Sequence, residues 1–150
     1  MARKICPALI LCLLMISCQS MPMPRLLRPQ DSLTAEEHND LGVVYEEKQQ
    51  RTLARKEYLK AVEKKPDWAV PYFNLANLSY KEKDRPASER YYKKALELRP
   101  DYPDCLNNLA WLCCEQKRYD EALQYINKAL ALSRKQEYID TQKKIQAEMK

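Results

Sequence analysis

Glycine is nearly absent. A single one, Gly42, stands in 150 residues, with one histidine, one phenylalanine and two tryptophans. So little glycine argues against sheet-rich folds built on tight two-residue turns and against a phosphate-cradling glycine loop. The lone histidine, His38, sits at an apolar helical position and reads as a core filler rather than a base or ligand. No zinc-ligand spacing occurs, and no nucleophile lies near a base. The reading is therefore of a protein that is not an enzyme, with no catalytic residue, no metal and no cofactor. A formal net charge of +5 is modest. It lacks the clustered basic stripe of a nucleic-acid binder, and Arg55, Lys56, Lys60, Lys64, Arg90, Lys93 and Lys94 read as solvated helix exteriors.

Long hydrophobic runs are also scarce. The longest, Ile5 to Ile16, has 12 residues, short of the roughly 20 that cross a bilayer. Behind Arg3 and Lys4 it has the form of a secretory signal peptide, assigned to residues 1–17. It ends in Met15-Ile16-Ser17-Cys18, which resembles the lipobox of bacterial lipoproteins, with methionine in place of the preferred leucine. That resemblance implies cleavage before Cys18 and lipidation of its thiol and amine; an ordinary signal peptide or an uncleaved anchor is the alternative. Several acyl chains on one cysteine would hold the chain on a membrane. Gln19 after the cysteine favours the outer membrane over the inner one if the source is a diderm bacterium. Residues 18–33 carry Pro22, Pro24 and Pro29 and read as a stiff tether. Its Arg25 and Arg28 either touch anionic head groups or are simply solvated.

What the sequence does contain is a repeat. Pro66 and Pro100 are 34 residues apart, and on that step Leu41, Leu75 and Leu109 coincide. So do Gly42, Ala76 and Ala110; Ala54, Ser88 and Ala122; Tyr58, Tyr92 and Ile126; and Ala61, Ala95 and Ala129. Such a period is that of stacked helical hairpins, and Ala, Leu, Lys, Glu, Gln and Arg are strong helix formers. Thr34-Ala35-Glu36-Glu37 forms a capping box that starts a helix near Ala35. Its partner helix is expected over Thr52–Lys64, followed by Trp68–Lys83 with Asp67 as cap, Arg85–Leu98, Tyr102–Gln116 and Tyr119–Leu132. Small residues, Gly42 with Ala54, Ala76 with Ser88 and Ala110 with Ala122, are expected to face each other within each hairpin.

These residues resemble the tetratricopeptide repeat. In the first copy the pattern reads His38, Leu41-Gly42, Tyr45, Ala54, Tyr58, Ala61, Pro66. The second reads Tyr72, Leu75-Ala76, Ser79, Ser88, Tyr92, Ala95, Pro100. The third reads Leu106, Leu109-Ala110, Cys113, Ala122, Ile126, Ala129, with Arg134 where the proline would fall. The resemblance implies an all-α fold, a short right-handed α-solenoid of three helical hairpins (residues 34–135; about 35–68, 69–102 and 103–135). A C-terminal capping helix, residues 136–150, completes it. Gln49, Lys83 and Lys117 stand where the family usually has glycine between the two helices.

In such repeats the first helix of each hairpin lines a concave groove. By position the groove residues are Asn39, Val43 and Glu46, then Phe73, Asn77 and Tyr80, then Asn107, Trp111 and Cys114. The groove is expected to be acidic near Glu36, Glu46 and Glu47 and aromatic at its middle. It would bind a protein or peptide partner in the cell envelope, the lipid anchor holding the adaptor on the membrane. Alternatively these side chains pack on one another or on the cap, and the module self-associates as a homo-oligomer. A small-ligand-binding envelope lipoprotein is a third reading. Relatives that grip a terminal carboxylate use lysine and arginine with asparagine; here only Asn74 matches, and Asn39, Asp104 and Asn108 replace the cations. Cys105, Cys113 and Cys114 are too far apart on one helix, or point too differently, for a mutual disulfide; Cys113 reads as a buried small hydrophobe, and the unpaired thiols imply either a reducing habitat or an intermolecular bridge through Cys114.

Overall fold

The computed structural model describes residues 31–150, and these belong almost wholly to one unit, Leu33–Lys150. The signal peptide, Cys18 and most of the tether lie outside the described residues. Seven α-helices and no strands are found among the described residues: α1 (Ala35–Glu47), α2 (Arg51–Lys64), α3 (Ala69–Lys81), α4 (Arg85–Leu98), α5 (Pro103–Glu115), α6 (Tyr119–Leu132) and α7 (Gln136–Glu148). None of them is long and apolar enough to cross a membrane.

The start of α1 is the expected capping box. Thr34 Oγ1 accepts from the Glu37 amide at 3.1 Å, and the Thr34 amide donates to Glu37 Oε2 at 2.7 Å. Asp84 caps α4 by accepting from the Ala87 amide at 3.0 Å, with Pro86 in the first turn where no donor is lost. Asp67 does not cap α3. The N-cap is Trp68, in an extended conformation and without a side-chain bond, so α3 begins one residue after it.

Each hairpin turns in the same way. Gln49, Lys83 and Lys117 have φ of 57°, 65° and 62°, the left-handed region. The amides of Gln49, Lys83 and Lys117 donate to Glu46, Tyr80 and Cys114, and the next amides, of Gln50, Asp84 and Arg118, donate back to Tyr45, Ser79 and Cys113, at 2.8–2.9 Å. This double closure is the Schellman motif, which satisfies the last carbonyls of the first helix. It needs the left-handed residue even where glycine is lacking.

Within hairpins α1 packs on α2, α3 on α4 and α5 on α6; between hairpins α2 meets α3 and α4 meets α5. The larger core gathers Leu106, Leu109, Leu112, Ile126, Tyr138 and Ile145, so α7 closes the last hairpin against both α5 and α6. The small-residue positions Ala54, Ala76, Ser88, Ala110 and Ala122 are all buried. Gly42 differs: a β-carbon there would sit 2.5 Å from the ring of Tyr58, so the first hairpin needs glycine to seat that tyrosine. His38 is buried, as expected, but it is not merely filler; its Nδ1 lies 2.6 Å from Glu57 Oε2.

Candidate functional site

The first helices of the second and third hairpins, α3 and α5, bound a cavity of about 320 Å³. From α3 come Asn77, Tyr80 and Lys81, and from α5 come Asn107, Asn108 and Trp111. Tyr92 of α4 and Thr141 of α7 complete the wall. The helical spacing explains the set: Asn77 with Tyr80 and Lys81, and Asn107 with Trp111, lie three or four residues apart and share a face.

Two hydrogen-bond chains fix these side chains. In the first, Asn107 Nδ2 donates to Asn108 Oδ1 at 3.2 Å, and Asn108 Nδ2 donates to Asn77 Oδ1 at 3.0 Å. The Tyr92 hydroxyl donates to the same Asn77 oxygen at 2.6 Å. In the second, Trp111 Nε1 donates to the Tyr80 hydroxyl at 2.9 Å, and that hydroxyl donates to Glu115 Oε1 at 2.7 Å. Arg85 closes on Glu115 at 3.1 Å. Burial, then the hydrogen bond to Glu115, pushes the Tyr80 phenol above its ordinary range, and burial does the same to Tyr92. Both are neutral donors at any physiological pH.

Of the nine groove positions, Asn77, Tyr80, Asn107 and Trp111 therefore meet in one cavity. The other five are elsewhere. Asn39 is buried and accepts from Asn74 Nδ2 at 2.8 Å, tying α1 to α3. Val43 is exposed on α1. Glu46 accepts from the Tyr58 hydroxyl at 2.8 Å and from Lys81 at 2.5 Å. Phe73, expected as an open aromatic, packs its ring 4.8 Å from that of Tyr102 and 6.1 Å from that of Tyr92, so it serves the joint between hairpins. Cys114, expected to face the groove, is only 7% exposed. It lies beneath the end of α7, near Lys144 and Glu148, and burial pushes its thiol up. That placement removes it as an accessible bridge to another chain.

Two of the three carboxylates of the expected acidic end are paired. Glu36 pairs with Lys65 at 2.8 Å and Glu46 with Lys81 at 2.5 Å. At the positions where carboxylate-gripping relatives carry cations there is none: Asn39 and Asn108 are spent on amide bonds, and Asp104 bonds Lys135 and the Tyr138 hydroxyl. Burial raises the Asp104 carboxyl, but those two partners outweigh it and hold it below its ordinary value. Among the described residues no cluster of histidine, cysteine, aspartate and glutamate has the makings of a metal site.

Four wall residues were not singled out from the sequence as groove residues: Lys81, Tyr92, Asn108 and Thr141. Tyr92 reads from its repeat position as a core residue. Thr141 is one 34-residue step beyond Asn107, so carrying the period into the terminal helix points to it.

Residues 68–135 match the tetratricopeptide repeat family. No curated protein sequence matches the chain. Among solved structures, the chain resembles the first TPR domain of Spaghetti (RPAP3), bound to the HSP90 peptide SRMEEVD. The TM-score is 0.74 at 20% identity, over 79% of this chain and 95% of that one. It also resembles the TPR2B domain of yeast Sti1 in its pHsp70 complex, with a TM-score of 0.71 at 24% identity, over 75% of this chain and 96% of that one. The helices of this chain thus form a tetratricopeptide-type all-α solenoid, and its second and third hairpins carry the tetratricopeptide repeat in their sequence.

Proposed function

We infer that this chain is a binding adaptor that holds a peptide segment of a partner protein between α3 and α5. One observation carries the reading: the aromatic and amide side chains of Tyr80, Trp111, Asn77 and Asn107 converge on a single cavity. Aromatic area with a few placed polar groups is what peptide recognition uses. The two similar solved domains are recorded with peptide or chaperone partners, which supports the same use of this fold here. The adaptor works in a bacterial cell envelope, held on the membrane by lipid on Cys18 and facing the periplasm. Support for that part is the Met15-Ile16-Ser17-Cys18 sequence alone.

The test is affinity purification of the full chain from native membranes, comparing the parent with Tyr80→Ala/Trp111→Ala. The double variant should lose its co-purifying partner while keeping its helical content. Retention of every partner would overturn the groove reading. Metabolic labelling with a fatty acid tests the anchor: Cys18→Ser should abolish the label, and persisting label rejects lipidation at that residue.

A second reading, self-association, rests on Val44. It is 40% exposed, whereas Leu78 and Leu112, one and two repeat steps further on, are fully buried against the preceding hairpin. Sedimentation of Val44→Lys beside the parent separates the readings; an oligomer that dissolves into monomers on this change favours self-association.

A further inference from the structure

The joints between hairpins use the same three positions of the first helix. In α3 they are Asn74, Leu78 and Lys81. Asn74 donates to Asn39 at 2.8 Å, Leu78 clusters with Ala54 and Tyr58, and Lys81 pairs with Glu46 at 2.5 Å, so all three reach the hairpin upstream. One 34-residue step further, in α5, they are Asn108, Leu112 and Glu115. Asn108 donates to Asn77 at 3.0 Å, Leu112 is buried in the cluster that holds Tyr92 and Ala95, and Glu115 accepts from Tyr80 at 2.7 Å and pairs with Arg85 at 3.1 Å. A polar, an apolar and a polar residue thus hold each of these hairpins to the one before it.

One step back, in α1, the same positions are Asp40, Val44 and Glu47. They are spaced four and three residues apart and share a helical face. Among the described residues no hairpin stands upstream of α1, and neither Asp40 nor Glu47 has an ion-pair partner. Val43 and Val44 are 38% and 40% exposed. A repeat that met only water there would carry a polar outer face. This one keeps valines between two carboxylates, the make-up of a joint.

The charges say what fits. Asn74 and Asn108 reach upstream by donating, whereas Asp40 as a carboxylate only accepts. Its counterpart must supply a donor, and a cation suits both carboxylates best. A second copy supplies none. Glu46 and Tyr80 receive Lys81 and Glu115 in the internal joints, and two steps beyond Tyr80 stands Glu148 of α7. Stacked end to end, a second copy would bring Glu148 to Glu47. Paired α1 to α1, it would set Asp40 and Glu47 among their like. Like charges brought together in this way exclude a partner.

We propose that this face of α1 docks an amphipathic helix of another protein, one with two cationic side chains two turns apart, about 10 Å, and apolar residues between them. The cations meet Asp40 and Glu47, and the apolar residues cover Val43 and Val44. The docked helix takes the place of an upstream hairpin. This surface is separate from the cavity between α3 and α5 and does not rest on the adaptor reading.

Three alanine-rich peptides of about 20 residues, long enough to be helical, test it. The first has arginines seven residues apart with two leucines between them on the same face. The second has glutamates in place of the arginines. The third keeps the arginines and leucines but moves one arginine to the opposite face. The full chain in uncharged detergent, with valine methyls labelled by ¹³C, reports binding. Val43 and Val44 are on the surface, and Val70 of α3 is the internal reference. The first peptide should move Val43 and Val44 saturably, in the micromolar to millimolar range of a small interface, and leave Val70 in place. The other two should bind more weakly by about tenfold or more. A chain of formal net charge +5 attracts anions without specificity, so a preference for arginine reports the local face. Asp40→Lys/Glu47→Lys changes two exposed residues and should turn the preference to the glutamate peptide at unchanged helical content.

The proposal is overturned if the first peptide leaves Val44 unmoved, if either other peptide binds as well, or if the double lysine variant keeps the parent's preference. Val43 and Val44 signals that shift with protein concentration alone would give the face to a second copy and overturn it too. Tyr80→Ala/Trp111→Ala should leave peptide binding at α1 unchanged, so this surface and the cavity stand or fall separately.

Discussion

Gly42 and Glu89 show how much one residue decides. Helix propensity alone says that Gly42→Ala should stabilise α1 by about 1 kcal/mol. The added β-carbon would, however, fall 2.5 Å from two ring carbons of Tyr58, whose hydroxyl is tied to Glu46. Overpacking of that kind costs about 1–3 kcal/mol, so the clash outweighs the propensity gain. The expected result is a net loss of stability in urea unfolding, with Gly42→Ala/Tyr58→Leu recovering part of it. Glu89 accepts from Arg118 at 2.8 Å and pairs with Lys93 at 2.7 Å. The Arg118 hydrogen bond, working against partial burial, holds its carboxyl down at about 2, against 4.5 for the free group. A folded-state value below the unfolded one means that the stabilisation is whole above pH 4.5 and fades as pH falls towards 2. With solvent screening allowed for, it amounts to about 1–2 kcal/mol. Glu89→Gln should therefore lower stability at neutral pH and flatten the acid limb across that window; an unchanged pH profile would show that Arg118 gains nothing from Glu89.

At the scale of elements, the turns hold a reserve of stability. Three non-glycine residues at positive φ each cost about 1–2 kcal/mol relative to an unstrained conformation, and only the double hydrogen-bond closure keeps them there. Glycine relieves the strain but gives back about 0.5–1 kcal/mol through the looser unfolded chain. Gln49→Gly, Lys83→Gly and Lys117→Gly should each raise stability by about 0.5 kcal/mol, additively because the turns share no partners; thermal melts of single and triple variants check this. These elements were legible in the sequence because their signals are local. The repeat step, the capping box at Thr34 and the prolines set helices whose ends the structure moves by a residue or two. The candidate site was less legible because helical phase does not say what covers a face. Phe73 and Trp111 are both aromatics at groove positions, yet Phe73 meets Tyr102 across the hairpin joint while Trp111 lines the cavity. Cys114 is buried on a helix that also carries a groove face, beside the end of α7, whose sparse apolar residues gave no orientation.

For the molecule as a whole, an array with only neighbour contacts has unequal ends. Its stability is a sum of hairpins and the joints between them. Among the described residues no hairpin precedes α1 and Val44 is exposed, while α7 buries Tyr138, Thr141 and Ile145 against the third hairpin. Packed on α5 and α6, α7 covers the face that a further repeat would cover, and it also lends Thr141 to the cavity. Loosening α7 should act locally before it acts globally. Ile145→Ala removes a fully buried side chain, a loss of about 2–5 kcal/mol, borne by the joint between α7 and the last hairpin. Cys114, sheltered by the end of α7, should then be alkylated much faster at neutral pH. Cys105, on the side of α5 that meets α4 and bonded to the Tyr92 carbonyl, should keep its slow rate. Mass-spectrometric mapping of the labelled cysteines measures both in one sample. Equal acceleration at the two sites would mean that the helices unfold as one cooperative block, and that the cap is no separate unit.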